Sequence, residues 1–129
     1  MTEERLDLGA RGEDLAARYL EEQGWTIEER NFTCEIGEVD LIASRAVPEG
    51  RLVAIVEVKT RQDTSQTAPH LSVTARKRQT IVKVARFYDA LSEGNRRGYR
   101  FDVIEVDASV EPPAINHLEG AFDSRGNPY

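Results

Sequence analysis

The feature that most constrains the fold is the run VAIVEVKTR at residues 53–61. Four apolar residues in succession, followed by Val58 between two charged residues, predict a strand buried on both faces of a sheet. Because side chains alternate along a strand, Ile55, Glu57 and Lys59 share one face. A carboxylate and an ammonium group therefore lie side by side on a core strand, where an unpaired charge is costly.

A second strand, within GEVDLI at residues 37–42, repeats this pattern. Strict alternation puts Glu38, Asp40 and Ile42 on one face, with Val39 and Leu41 on the other. If the two strands pair as a hairpin, Asp40 meets Glu57, and two adjacent carboxylates repel unless they share a cation. Oxygen ligands suit Mg²⁺ or Mn²⁺, whereas Zn²⁺ favours His or Cys, so we predict a magnesium or manganese site.

Two further residues are candidates for the same cluster. Lys59 lies beside Glu57 and is placed to orient or help deprotonate an attacking water and to offset charge on a phosphate. Glu13 precedes Ala16 and Leu20 by three and seven residues, so it belongs to the apolar face of its predicted helix. The alternative is a structural network of ion pairs at a sheet edge, without catalysis.

The order of predicted elements indicates an α/β fold with a mixed sheet of four to five strands flanked by helices. One helix runs from Leu8 to Gly24, and a second follows Thr74, a predicted N-cap, up to Gly94. The predicted strands lie within residues 25–32, 38–44, 51–61, 99–107 and 114–122. We expect one domain, residues 1–129, with a polar loop at 62–73 and a flexible tail at 123–129.

The charge distribution points to an anionic partner. The net charge is −6, yet residues 73–100 contain eight basic and two acidic residues, which leaves nine basic and 21 acidic residues elsewhere. A basic segment on an acidic protein favours a track for nucleic-acid phosphates, although such a face is often only solvated. The candidate contacts are Arg61, Arg76, Lys77 and Lys83; Arg61 is alternatively an ordinary surface arginine.

Other features carry weaker expectations. Asp102 interrupts the apolar face of its strand, and we expect a structural pair with an arginine. His70 and His117 lack the spacing of metal ligands and receive no role. The single cysteine, the charged N-terminus and the lack of an apolar run of about 20 residues predict a cytoplasmic protein without membrane contact.

Four motifs, GARGEDLAARYL, GEVDLI, VEVKTR and RFDVI, occur in this order within residues 9–122. Together they resemble the YraN family of small bacterial proteins, usually described as predicted nucleases, within the PD-(D/E)xK nuclease superfamily. The resemblance implies a restriction-endonuclease-like core. It also implies that Asp40 and Glu57 hold the metal, that Lys59 is the catalytic lysine and that Glu13 lies near the metal. Val39 stands where the superfamily name has proline.

The resemblance further implies a function. The expected activity is that of a Mg²⁺- or Mn²⁺-dependent endonuclease that hydrolyses phosphodiester bonds of DNA, with branched or damaged DNA as candidate substrates. Relatives that act as dimers make a homodimer compatible with this expectation. The alternatives are a module on a nuclease fold that binds nucleic acid or protein without cleavage, and a purely structural partner.

Overall fold

The computed structural model describes residues 3–62, 73–92 and 97–129, with side chains from residue 8 onward. Most of the predicted polar loop, including His70, lies outside the described residues. The elements are α1 (Glu3–Glu22), β1 (Thr26–Thr33), β2 (Glu38–Val47), β3 (Gly50–Arg61), α2 (Ala75–Leu91), β4 (Arg97–Asp107) and β5 (Ala114–Phe122). Every helix and strand predicted from the sequence is present, with bounds that differ by a few residues.

The five strands form one mixed sheet in the order β1-β2-β3-β4-β5. β3 and β4 are parallel and the other neighbours are antiparallel. Short turns suffice for the antiparallel pairs, whereas two parallel neighbours need a long crossover, which here contains α2. The sequence prediction of an α/β protein with a mixed sheet flanked by helices is therefore confirmed.

The helices cover opposite faces of the sheet. Ala16, Ala17 and Leu20 of α1 pack in a core that contains Leu41, Ala54, Val56, Val58, Ile104 and Val106. Ile81, Val84 and Ala85 of α2 pack in a second core that contains Ile42, Val53, Ile55, Phe101 and Val103. The alternation predicted for β3 is confirmed, and its continuous apolar run reflects burial on both faces.

Hydrogen bonds between side chains and backbone groups fix the first turn of α2 and attach the C-terminal tail to it. The Thr74 side chain accepts a hydrogen bond from the Lys77 amide at 3.2 Å, which confirms the predicted N-cap. Arg78 donates to the carbonyl of Val73 at 2.6 Å and to that of Gly126 at 2.8 Å. These hydrogen bonds hold the start of α2 against the residues that precede it and against the C-terminal tail.

Among the described residues, no helix combines the length and the apolar character needed to cross a membrane.

Candidate active site

The pairing of β2 with β3 ends where the candidate site begins. The ladder runs from Val47, opposite Gly50, to Leu41, opposite Val56. Two residues beyond Val56, the Val58 amide donates a hydrogen bond to Oδ2 of the Asp40 side chain at 2.8 Å. The two backbones therefore separate after Leu41, and the Asp40 carboxylate lies in the gap between them.

The separation of the two strands changes the face of the sheet on which the first residues of β2 pack. Strict alternation predicts Val39 and Leu41 on one face, but Val39 packs in the same core as Ile42, on the α2 side. Leu41 packs against α1 instead. The predicted alternation is therefore wrong at Val39, because β2 is no longer held by ladder hydrogen bonds to β3 and rotates at Asp40.

Glu57 is the most deeply buried carboxylate of this cluster, with 7% of its side chain exposed. Burial first, then the charge of Asp40 and a hydrogen bond with the Asp40 carboxyl, together raise the pKa of Glu57 to about 8. The charges of Lys77 and Lys59 oppose this shift. The protonated form of Glu57 is therefore favoured relative to that of an exposed glutamate, since the site has more negative charge than its lysines offset.

Glu13 belongs to the same cluster, as its inward helical position predicts. Partial burial raises the pKa of Glu13, the charge of Asp40 raises it further, and a hydrogen bond with Asn31 lowers it. Asp40 therefore interacts with Glu13, on the α1 side, and with Glu57, whose face of β3 is turned to α2. The gap between β2 and β3 makes this double contact feasible.

Asn31 is a site neighbour that the sequence analysis did not identify. Its φ of 51° lies in the left-handed region, which asparagine adopts more readily than most residues. Arg30 and Phe32 pair with Leu41 and Val39, so Asn31 lies alongside Asp40. The alternating pattern of apolar and polar residues in β1 predicts neither the backbone conformation of Asn31 nor its contact with Glu13.

Two lysines approach Glu57 from different elements. Lys59 follows it on the same face of β3 and is half-buried. Lys77, in the first turn of α2, places Nζ 3.9 Å from Oε2 of Glu57. That oxygen is buried and has no hydrogen-bond partner among the described residues. Lys77, predicted from the sequence as a phosphate contact, thus lies at the carboxylates themselves.

The donor set fits a hard divalent cation. Among residues 3–62, 73–92 and 97–129, no three His, Cys, Asp or Glu side chains converge as a ready-made metal cluster. Mg²⁺, however, keeps several waters and is often held by one or two carboxylates together with substrate phosphates. Asp40 and the Oε2 of Glu57, which has no hydrogen bond among the described residues, are a set of this smaller kind, and Glu13 interacts with Asp40.

The other predicted contacts lie around this cluster. Arg76 and Lys83 are exposed on α2. Arg61 is mostly buried, and its Nε lies 3.1 Å from Oε2 of Glu105 on β4. An acidic neighbour offsets part of the charge that Arg61 could offer to a phosphate, and its predicted phosphate contact stays a prediction.

A separate polar cluster surrounds Asp102 on the α1 side. Arg100 donates two hydrogen bonds of 2.9 Å to the buried carboxylate, which confirms the expected structural pair. His117 Nε2 lies 2.7 Å from Asp102, and His117 Nδ1 lies 3.1 Å from the Tyr19 hydroxyl. His117 thus has a structural place that its sequence spacing did not indicate.

The mixed sheet, the helix on each face and the carboxylate cluster where two strands separate define an α/β protein with a restriction-endonuclease-like core. The chain belongs to the uncharacterised protein family UPF0102, the YraN family, whose model matches residues 12–106. It is similar to UPF0102 proteins from Myxococcus xanthus (40% identity, covering 94% of this chain and 93% of the relative) and from Syntrophotalea carbinolica (40%, covering 98% and 99%). A UPF0102 protein from Geobacter sulfurreducens is 42% identical, covering 90% and 88%. The resemblance stated from the motifs is therefore confirmed at the level of the family.

Proposed function

We propose that this protein is a Mg²⁺- or Mn²⁺-dependent nuclease that hydrolyses phosphodiester bonds of DNA. The observation that carries the proposal is the buried Oε2 of Glu57, which has no hydrogen bond among the described residues and lies next to Asp40 where β2 and β3 separate. A buried carboxylate oxygen without a partner is costly, and a cation shared with Asp40 removes that cost.

Each residue of the cluster has a distinct role in this proposal. Asp40 and Glu57 hold the metal, and Glu13 adds negative charge beside Asp40. A bound divalent ion supplies Lewis acidity toward the phosphate and lowers the pKa of a coordinated water. Lys59 orients the attacking water and offsets the negative charge that develops on the phosphate. The exposed Arg76 and Lys83 contact the DNA backbone outside the reacting group.

The substrate preference follows from the kind of contact available. Arginine and lysine side chains that meet phosphates position a nucleic acid without reading its bases. We therefore propose selection by DNA shape, with branched or damaged duplexes as the candidate substrates, and a homodimer as a compatible assembly.

The direct test is cleavage of a matched panel of end-labelled substrates: duplex, single strand, flap, four-way junction and the corresponding RNAs. Wild type is compared with Asp40→Ala, with Mg²⁺, with Mn²⁺ and with EDTA. The proposal expects metal-dependent cleavage of at least one DNA that is lost in Asp40→Ala. Tight DNA binding without cleavage under every metal condition would replace the nuclease with a non-catalytic binding module.

A second test reports on the metal site without turnover. A ligand that binds only the folded state stabilises it by RT ln(1 + [L]/Kd), so millimolar Mn²⁺ is expected to raise the melting temperature. Asp40→Asn, which keeps the side-chain shape and removes one charge, is expected to reduce this rise. An equal rise in both proteins would show that the ion binds elsewhere.

A further inference from the structure

Lys77 differs from every other basic residue of α2 in what its side chain meets. Its Nζ is 3.9 Å from a Glu57 oxygen that is buried and lacks a hydrogen bond among the described residues. That separation lies within the range of an ion pair but beyond that of a hydrogen bond. Lys77 therefore offsets part of the charge of Glu57 through an ion pair that is too long for a hydrogen bond.

Of the two side chains in the Lys77–Glu57 pair, only that of Lys77 is substantially exposed to solvent. The Glu57 side chain is 7% exposed and the Lys77 side chain is 40% exposed. The backbone of Lys77 is held by the Thr74 cap, and the adjacent Arg78 is held by two carbonyls, so the first turn of α2 is fixed. A long lysine side chain on a fixed backbone can move its ammonium group several ångströms by rotamer changes alone.

We propose that the Lys77 ammonium group is the counter-ion of Glu57 when no metal is bound. It competes with the divalent metal for Glu57, and it contacts the substrate phosphate once the metal is bound. The first half of this inference rests on the metal site of the proposed function, and the second half rests on its cleavage activity. The first half can be tested with the protein and the metal alone. The inference gives Lys77 a role of its own, whereas Lys77 and Lys83 would act alike if α2 were only a general track for phosphates.

The two lysines of α2 form a natural matched pair. Lys83 follows Lys77 by six residues, about 9 Å along the helix axis, and its side chain is exposed. Replacing either lysine with methionine removes one positive charge from the same helix and keeps an unbranched side chain that favours a helix. Only Lys77→Met removes a charge that faces Glu57, so a difference between the two variants reports on the site.

The first measurement is calorimetric titration of the full chain with MnCl₂ in the absence of DNA. At a pH where Glu57 is ionised in both proteins, Lys77→Met is expected to bind Mn²⁺ at least about fivefold more tightly than wild type, because the competing cation is gone. Lys83→Met and Lys77→Arg are expected to match wild type, since the first leaves Glu57 untouched and the second keeps the charge. Equal Mn²⁺ affinities for Lys77→Met and Lys83→Met would overturn the inference.

The second measurement is cleavage at saturating Mn²⁺ and DNA. Lys77→Met is expected to lower kcat about tenfold or more while KM for DNA changes little, and Lys77→Arg is expected to restore part of kcat. A raised KM with unchanged kcat would show that Lys77 is an ordinary phosphate contact. That result would overturn the part of the inference that concerns catalysis. Wild type that binds no Mn²⁺ would overturn the metal site and this inference together, whereas failure of Lys77 alone leaves Mn²⁺ binding by wild type intact.

Discussion

At the scale of single residues, the unusual feature is a carboxylic acid buried in a β-sheet core beside another carboxylate. Glu57 loses hydration and meets the charge of Asp40, so its protonated form is favoured. Lys77 and Lys59 offset only part of this effect. A cation bound between Asp40 and Glu57 would replace this proton and offset the repulsion between the two carboxylates, so metal binding there is expected to release a proton.

The pH dependence of folding tests this description of Glu57. Its pKa is about 8 in the folded protein and 4.5 in the unfolded reference, so the folded state binds more protons between these values. Stability contributed by Glu57 is thus present in acid and is lost as the pH rises from about 4.5 to about 8. Glu57→Gln keeps the shape without the charge, and is expected to flatten this slope, which amounts to a few kcal/mol.

The measurement is urea unfolding in metal-free buffer at pH 5, 6.5 and 8. Glu21→Gln, a change at an exposed position of α1, serves as the control and is expected to keep the wild-type pH dependence. Parallel curves for wild type and Glu57→Gln would contradict the raised pKa.

At the scale of elements, the close packing of α1 on the sheet depends on one glycine. A Cβ atom added at Gly12 would overlap Oγ1 of Thr60 on β3, whereas nothing lies within 4 Å of a Cβ added at Gly9. Gly12 therefore permits the close approach of helix and strand that brings the neighbouring Glu13 toward Asp40.

The two glycines of α1 give a prediction with opposite signs. Gly9→Ala is expected to stabilise the protein by up to about 1 kcal/mol, because alanine favours helix and the added methyl group meets no neighbour. Gly12→Ala is expected to destabilise it by about 1–3 kcal/mol through overpacking, despite the same gain in helix propensity. Chemical denaturation measures both, and Thr60→Ala should recover part of the loss; equal effects at the two positions would show that α1 does not press on Thr60.

The exposed basic residues of α2 give a prediction about binding. If Arg76 and Lys83 contact DNA phosphates, replacing each with glutamine is expected to weaken binding regardless of sequence and to lower the salt dependence by about one unit of slope per contact. Arg18→Gln, an exposed change on α1, should leave the slope unchanged. Fluorescence anisotropy at several KCl concentrations measures this, and an unaltered slope would assign that face of α2 to solvent.

At the scale of the whole molecule, the Asp102 cluster joins the first helix to the last two strands. Asp102 accepts hydrogen bonds from Arg100 on the same strand and from the Gly120 amide of β5, and it contacts His117. His117 in turn contacts Tyr19 of α1, 98 residues away in the chain. Burial alone would raise the pKa of Asp102, but these partners together hold it below its usual value.

Removing the central charge is expected to affect the whole fold. Asp102→Asn should cost about 3–5 kcal/mol, because it leaves Arg100 without its buried counter-charge. Tyr19→Phe removes one peripheral hydrogen bond and should cost about 1 kcal/mol. Because the pKa of Asp102 is lowered, its contribution to stability is present above about pH 4 and is lost on further acidification. Denaturation at pH 7 and pH 3 checks these values, and similar costs for both variants would show that Asp102 is not the centre of the cluster.

The sequence by itself determined the element order, the mixed sheet and the faces of β3 and α1. Glu57 follows Ile55 on one face of β3, and Glu13 lies on the apolar side of α1, as their spacing predicted. These features depend on residues two to four positions apart. Backbone geometry fixes such relations within each element, so periodicity is sufficient to read them.

Only the tertiary structure decided how these elements meet. The rotation of β2 at Asp40 follows from the end of its pairing with β3, and Lys77 reaches Glu57 because the capped start of α2 lies at that end of the sheet. The left-handed Asn31 and the contact of His117 with Tyr19 likewise depend on partners distant in the chain. Local periodicity does not determine how the elements cross and dock, because packing between elements sets both, and the candidate site forms where β2 and β3 separate between α1 and the start of α2.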